Sequence, residues 1–450
     1  VDGPPGGFFL WGAPHIAAPN PPSQPPIVLI TIDTTRRDAV APYSDRWELT
    51  PHLARFAEHA TVYMRAASTS PWTLPSHASM FTGWYPSRHR AGVTEQELAE
   101  HHATVAELLS EQGIPSVGLA GGFLCASRFG LAQGFSVYHD PEDFEVIGDR
   151  LADLAVEALD RFGSLHPFLF VNFFDPHFTY RAPDEFRRLT GADRLTSRVP
   201  DGSVLSGVLA GDGDAWRRAN IDDIDFDAAA LAAIDAEYKA EVAFMDHQIG
   251  RIFDALQRRG LYQQALIVVV ADHGELLGEH RVIGHGGRLD PELVEVPLLV
   301  KFPHQQDAAR VDDLVSVVDL FPTLLHWAGV PPPDTDGRML PSPATPGDDD
   351  RRFVFAEEHA MGIHELFGRL KVAEQVFSVE RRTTREVVWV DGRECFRGDD
   401  ESWTRVDCDD SDPTALLRQH LSPPDLQAGP RTGGLDAEAA EKLRALGYLQ

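Results

Sequence analysis

The chain has 450 residues, 43% hydrophobic and 24% charged, a balance ordinary for a globular protein with room for a large α/β core and a smaller appendage. Its formal net charge of −29 sets 69 acidic against 40 basic residues, which argues against a nucleic-acid partner, since that would need a basic face. No apolar run is long enough to span a bilayer, so no transmembrane segment is expected, and the absence of any Cys-x-x-Cys pair speaks against a structural zinc site.

In chain order, residues 1–26 are Pro- and Gly-rich and read as a flexible tether, the stub of a removed signal or anchor, which favours a periplasmic or secreted location. Pro26 to Asp33 (PIVLITID) is a short β-branched run ending in an acid, the pattern of a buried parallel strand. Helical spacing follows over Pro51 to His59. Ser70 to Gly83 (SPWTLPSHASMFTG) puts Thr73 just ahead of an apolar-spaced helix. There its hydroxyl can cap the helix or, beside the unpaired N–H groups and positive dipole end, face an anion. Further helices are expected over Thr104 to Gln112, Asp149 to Phe162 and Ala228 to Arg259. Two more apolar strands, His166 to His177 and Ala265 to Glu275, end in Asp175 with His177 and in Asp272 with His273. Residues 187–226 read as a polar surface insertion, Val294 to Phe302 as another strand, and Leu340 to Arg352 as a linker. Beyond it, FVFAEEH, KVAEQVFSVE and REVVWVDG alternate like an antiparallel hairpin set, and Leu435 to Leu449 like a short amphipathic helix.

Alternating strands and helices predict an α/β fold with a mainly parallel sheet between helices, and ligands then bind beyond the carboxyl ends of the strands. The division is a tether at 1–26, a catalytic domain at 27–345, and a C-terminal antiparallel subdomain with its tail helix at 346–450. Asp33, Asp175 and Asp272 converge on one sheet edge in this arrangement. A single Asp there is often only a helix cap. Acids, the imidazoles of His177, His273 and His285, and the Thr73 hydroxyl together point instead to a metal site. Carboxylate and imidazole without thiolate suit zinc or manganese, with calcium or magnesium less suited to the histidines. Arg36 can meet an anion or form a structural ion pair, Asp246 and His247 read as surface or supporting groups, and Trp72 as a packed aromatic. Cys395 and Cys408 are close enough in sequence to pair, which leaves Cys125 free.

ITIDTTRRD, SPWTLPSHASMFTGWYPSRH, FFDPHFTY, VVVADHGELLGEH with the following His285, and VEVPLLVKFP occur in the order and spacing of the sulfatase branch of the alkaline phosphatase superfamily, which the chain resembles from about Pro26 to about Gly329. The resemblance implies a large α/β domain with a small C-terminal antiparallel sheet. It also implies a divalent metal on Asp33, Asp272 and His273 that activates Thr73, with His177 and His285 facing the transferred anion. Asp175, His177 and His285 are candidates for a second ion. The chain departs from the family where chemistry depends on it. Thr73 stands where a sulfatase carries the Cys or Ser oxidised to formylglycine, His77 stands for the following Arg, Thr34 for a second Asp, His273 for a frequent Asn, and His285 for a Lys. A threonine ester cannot collapse to an aldehyde, so it must be hydrolysed or passed on. The resemblance therefore implies a metal-dependent hydrolase of a small anionic ester, a phosphate mono- or diester, through a Thr73 covalent intermediate. The alternatives are a sulfuric ester hydrolase using unmodified Thr73, a phosphotransferase, and a catalytically silent binder of anionic glycans.

Overall fold

The computed structural model describes residues 24–93, 97–141, 146–210, 212–221, 226–343, 353–359, 375–381, 385–389, 395–399 and 402–406. Strands β1 (Ile27–Ile32), β2 (Thr61–Ala67), β3 (Ser116–Ala120), β4 (Val137–His139), β5 (Phe168–Phe173) and β6 (Leu266–Val270) precede a short pair, β7 (Leu276–Leu277) and β8 (Ile283–Gly284). Then follow β9 (Glu295–Lys301) and β10 (Ala309–Ser316). The eight-stranded sheet has the order β10-β2-β9-β6-β1-β5-β3-β4, in which β9 alone runs antiparallel to its neighbours. Every residue of β1, β5 and β6 is buried, as expected of apolar runs covered on both faces by helices.

The helices are α1 (Pro51–Ala57), α2 (Thr73–Thr82), α3 (Pro86–His89), α4 (Val105–Glu111), α5 (Gly148–Phe162), α6 (Asp184–Thr190), α7 (Ala192–Thr196), α8 (Val204–Leu209), α9 (Gly213–Ile221), α10 (Ala228–Arg258), α11 (Pro291–Val294) and α12 (Leu320–Trp327). The long α10 buries Tyr238, Val242, Met245, Ile249 and Phe253 as its apolar spacing requires. Asp246 shares that stripe. It is buried, and its carboxylate accepts the backbone N–H groups of His52 and Leu53 at 3.0 and 2.8 Å, so it caps α1 and is not a surface group.

The segment 187–226 also differs from the expected surface excursion. Its described residues form short helices whose Ala192, Leu205, Val208 and Trp216 are buried. At the start of the expected linker, Leu340 belongs to the core, and its N–H reaches Thr323 Oγ1 at 2.9 Å. Past it come β11 (Phe353–His359), β12 (Gln375–Arg381) and β13 (Arg385–Trp389) in one antiparallel sheet, then the antiparallel pair β14 (Cys395–Asp399) and β15 (Ser402–Val406). Cys125 is a free, buried thiol. Residues 1–23, Cys408 and the tail at 435–449 lie outside the described residues.

Candidate active site

The parallel strands bring distant segments to one edge. In the register of β1, Ile32 faces Phe173 of β5, and Thr31 faces Val270 of β6, so Asp33 and Asp272 leave neighbouring strands side by side. The Asp33 N–H continues the ladder to Phe173 O at 2.8 Å. Thr34 then takes a left-handed φ of 49°. That conformation is unfavourable for a β-branched residue, and its two backbone groups hold it there. Its N–H reaches Asp272 Oδ1 at 3.3 Å, and its carbonyl accepts the Tyr238 hydroxyl at 2.9 Å.

Thr73 arrives from the carboxyl end of β2. It is the first residue of α2, following Trp72 at the cap position, and is not itself the cap. Trp72 is buried against Gly92, as expected of a packed aromatic. Ser68 and Ser76 donate to the Asp272 carbonyl, the latter at 2.8 Å, which fastens the loop to β6. Thr73 Oγ1 lies 3.4 Å from His273 Nε2. One turn on, His77 is fully buried, with Nδ1 2.9 Å from Thr73 O and Nε2 3.0 Å from Thr31 Oγ1. Burial holds its pKa below the ordinary value, so it serves as a neutral strut between α2 and β1.

Asp33, Asp272 and His273 are fully buried, and each offers a ligand atom such that these atoms all lie within 4.8 Å of one another. His273 Nε2 is 3.8 Å from Asp33 Oδ1 and 3.5 Å from Asp272 Oδ2. Its Nδ1 bonds Gly274 O at 2.9 Å, which places the proton there and directs a lone pair from Nε2 at the acids. Both Asp33 oxygens and Asp272 Oδ2 lack a hydrogen-bond partner among the described residues. Burial raises the Asp33 pKa well above the ordinary range, and the neighbouring Asp272 and Glu275 add to it; burial raises Asp272 too. Two buried carboxylates without a counter-charge are costly, and a divalent cation on this oxygen and nitrogen set would remove the cost. The residues fit the metal that the family uses.

Around this group stand two of the other expected residues, His285 and His177. His285 has its ring centroid 4.5 Å from that of His273 and 4.9 Å from that of His177, and its Nδ1 lies 3.0 Å from Glu275 Oε1. His177 stacks on Phe174 at 4.2 Å, with Nδ1 bonded to Phe178 O. Burial drives the His177 and His273 pKa values well below 6.5 and His285 to about 4, so all three rings are neutral. Asp175 points elsewhere. Its Oδ1 accepts the Gly148 N–H at 2.8 Å at the start of α5, and it does not join the three-residue ligand group. Arg36 is spent on Asp38 and Glu279, both at 2.7 Å, with a further bond to Glu275 O at 3.2 Å.

Two groups were not singled out from the sequence. Glu275 is fully buried, and burial raises its pKa to about 8. Tyr180 is buried near Glu275, and its hydroxyl has no hydrogen-bond partner among the described residues. The signal for Glu275 was its place two residues after His273 in the same motif; Tyr180 had none.

A mainly parallel eight-stranded sheet between helices, with paired acids at its strand ends, is the fold of sulfatases and their relatives in the alkaline phosphatase superfamily. A profile of the family described as Sulfatase matches residues 25–330, and the chain belongs to that family. It is 26% identical over 378 residues to arylsulfatase K of Gallus gallus, covering 72% of this chain and 68% of that protein. Against the multifunctional alkaline phosphatase superfamily protein PehA of Trinickia caryophylli it is 24% identical over 392 residues, covering 70% and 76%. Among solved structures, the phosphonate monoester hydrolase of Agrobacterium radiobacter matches with a TM-score of 0.65 at 21% identity, over 89% of this chain and 91% of that one. A protein solved with its substrate D-glucosamine-2-N,6-O-disulfate matches at 0.66 and 17% identity, over 90% and 100%. These two share the fold. No helix among the described residues is long and apolar enough to cross a membrane.

Proposed function

We propose that the protein hydrolyses a phosphoric ester with Thr73 as nucleophile, at a site where Asp33, Asp272 and His273 hold a zinc or manganese ion. The observation that carries this reading is the Thr73 hydroxyl at the N-terminus of α2, 3.4 Å from His273 Nε2. A bound divalent ion supplies Lewis-acid stabilisation of alkoxide and phosphoryl oxygens. In the first step Thr73 Oγ bonds to phosphorus in line, the bond to the departing alcohol breaks, and the Thr73 proton leaves with the alcohol. In the second, water bonds to phosphorus and gives a proton to His285. The P–Oγ bond breaks, and that proton returns to Thr73. His177 faces the phosphoryl oxygens, and the helix dipole of α2 favours their charge. A second ion on His177 and His285 would occupy the nitrogen this step uses as base and is therefore an alternative to it; Asp175, turned to α5, would have to leave Gly148 to join such a site.

Charge narrows the substrate. The charges acting most strongly on Asp33 and Asp272 come from acids and histidines, with no Lys or Arg among them. Two carboxylates and one divalent ion sum to zero, so a monoanionic diester suits the site better than a dianionic monoester. The same balance suits a sulfate monoester, which, with relatives named sulfatases, supports sulfate hydrolysis by unmodified Thr73 as the second reading. The test is turnover of matched aryl phosphodiester, phosphate monoester and sulfate by the metal-loaded protein and by Thr73→Ala. The variant is expected to lose about a thousandfold in kcat on the diester while retaining its metal. Faster turnover of the sulfate selects the second reading, and equal rates in both proteins remove Thr73 as nucleophile.

A further inference from the structure

We infer that Glu275 is a positioning residue that orients His285, the two forming a carboxyl–imidazole dyad behind the hydrolytic step. This rests on His285 acting as the base in the reading above.

Glu275 follows the ligand His273 by two residues and leads into β7, with no exposed surface. A carboxyl in such a place costs several kcal/mol unless something recovers it. Among the described residues no Lys or Arg hydrogen-bonds this carboxyl, and Arg36 acts on it only through space. The nearby Arg36 bonds the Glu275 backbone carbonyl at 3.2 Å, and its guanidinium is committed to Asp38 and Glu279. Glu275 is also not one of the three clustered ligand residues. Its carboxyl has one side-chain partner, the Nδ1 of His285 at 3.0 Å, while Oε2 has none among the described residues.

The backbone around His285 explains why such a bond is needed. Gly284, Gly286 and Gly287 have φ values of 116°, 81° and 70°. Glycines in these conformations make a permissive loop, so the backbone alone does not fix which way the ring faces. The bond to Glu275 does. It sets Nδ1 toward the protein interior and therefore Nε2 toward the opposite side, with the ring packed between His273 and His177. In the hydrolysis of the Thr73 ester, Nε2 takes one proton from the attacking water and returns it to Thr73 Oγ as the P–Oγ bond breaks. The proton on the Glu275 side stays where it is. Glu275 thus does for His285 what an orienting carboxylate does for a catalytic imidazole elsewhere.

The test is a double-mutant cycle in the full-length, metal-loaded protein, with Glu275→Met, His285→Ala and the double variant, plus Glu275→Gln, which keeps the shape and a hydrogen-bonding group. For each, kcat and KM on the best ester substrate are measured with bound metal and Tm. Supporting spectra are long-range 15N–1H correlations of the histidines. Glu275→Met is expected to lower kcat about 50-fold with KM little changed and metal retained, and Glu275→Gln to recover most of that loss. In the His285→Ala background, Glu275→Met should change kcat by no more than about twofold, because its effect passes through the ring. The hydrogen-bonded Nδ1 proton of His285 should vanish in Glu275→Met and persist in Glu275→Gln.

Equal proportional losses in the presence and absence of His285, or a loss that follows metal content, would overturn the dyad. His285→Ala at wild-type kcat would remove His285 as base, and the inference with it. An impaired His285→Ala with an additive Glu275→Met overturns only the role of Glu275.

Discussion

The charge state of Asp246 makes a quantitative test of the helix-capping arrangement on the side of the sheet where α10 meets α1. Its carboxyl is buried, which raises its pKa from 3.8 to about 7, while the N–H groups of His52 and Leu53 pull in the other direction. The ring of His52, whose backbone N–H the carboxyl accepts, has His247, Arg55 and Asp254 as its own charged or titratable neighbours. Between pH 3.8 and 7 the folded chain holds a proton here that the unfolded chain has lost, so the slope of stability against pH is negative. The contribution is fully present below pH 3.8, declines as pH rises, and is gone above about 7. That interval corresponds to about 4 kcal/mol at 1.36 kcal/mol per pKa unit. Asp246→Asn removes the titration while keeping one acceptor. Urea unfolding of the chelated wild type and variant at several pH values isolates the term, because every other carboxyl is common to both. Relative to the wild type, the variant should gain stability from pH 4.5 to 7.5 and then level off. A pH-independent difference, or a variant that loses ground as pH rises, would show a carboxylate held ionised by the α1 N-terminus and refute the reasoning.

Other outcomes follow from the site. A Cβ at Gly274 would lie 1.9 Å from the Glu292 carbonyl oxygen, so Gly274→Ala must displace either α11 or the strand end. It should lose about 2–3 kcal/mol in denaturation and, because the Gly274 carbonyl orients His273, weaken metal binding at least about tenfold in a titration. Zinc or manganese at about 100 times its Kd should stabilise the chelated protein by about 2.7 kcal/mol, read as a rise in Tm. Asp33→Ala should abolish that rise, and a variant that still shows it would place the ion elsewhere.

Apolar runs ending in acids made β1, β5 and β6 legible, and with them the edge where Asp33 and Asp272 meet. β2 and β10 were harder to see, since TVYMRAA and ARVDDLVS mix polar and charged residues into sheet positions. The missed β2 is the strand that delivers Thr73. The helices within 184–221 were hidden by being short: α7 buries only Ala192 and α8 only Leu205 and Val208. Asp246 was readable in principle, since it lies four residues from Val242 and three from Ile249 on the buried stripe. Helical spacing shows which face is covered, but not that a neighbouring helix start supplies partners for a buried acid. For the same reason Glu275, though part of the Asp272 to Glu275 run, was given no role. The role inferred for it comes from a bond to a residue ten positions away across a glycine loop.

The ligand group is also spread along the chain. The Thr34 N–H and Asp272 are 238 residues apart, and Thr73 and His273 are 200 apart. No hairpin or early helical fragment can assemble this group, because β1, β2 and β6 must first lie in one sheet. Closing such long loops comes late in folding. On the proposed reading, a divalent ion at Asp33, Asp272 and His273 would not template the chain but would lock a sheet that has already formed. Metal uptake at that group would then double as a report on complete folding, with a partly folded population binding ion only in proportion to its finished molecules.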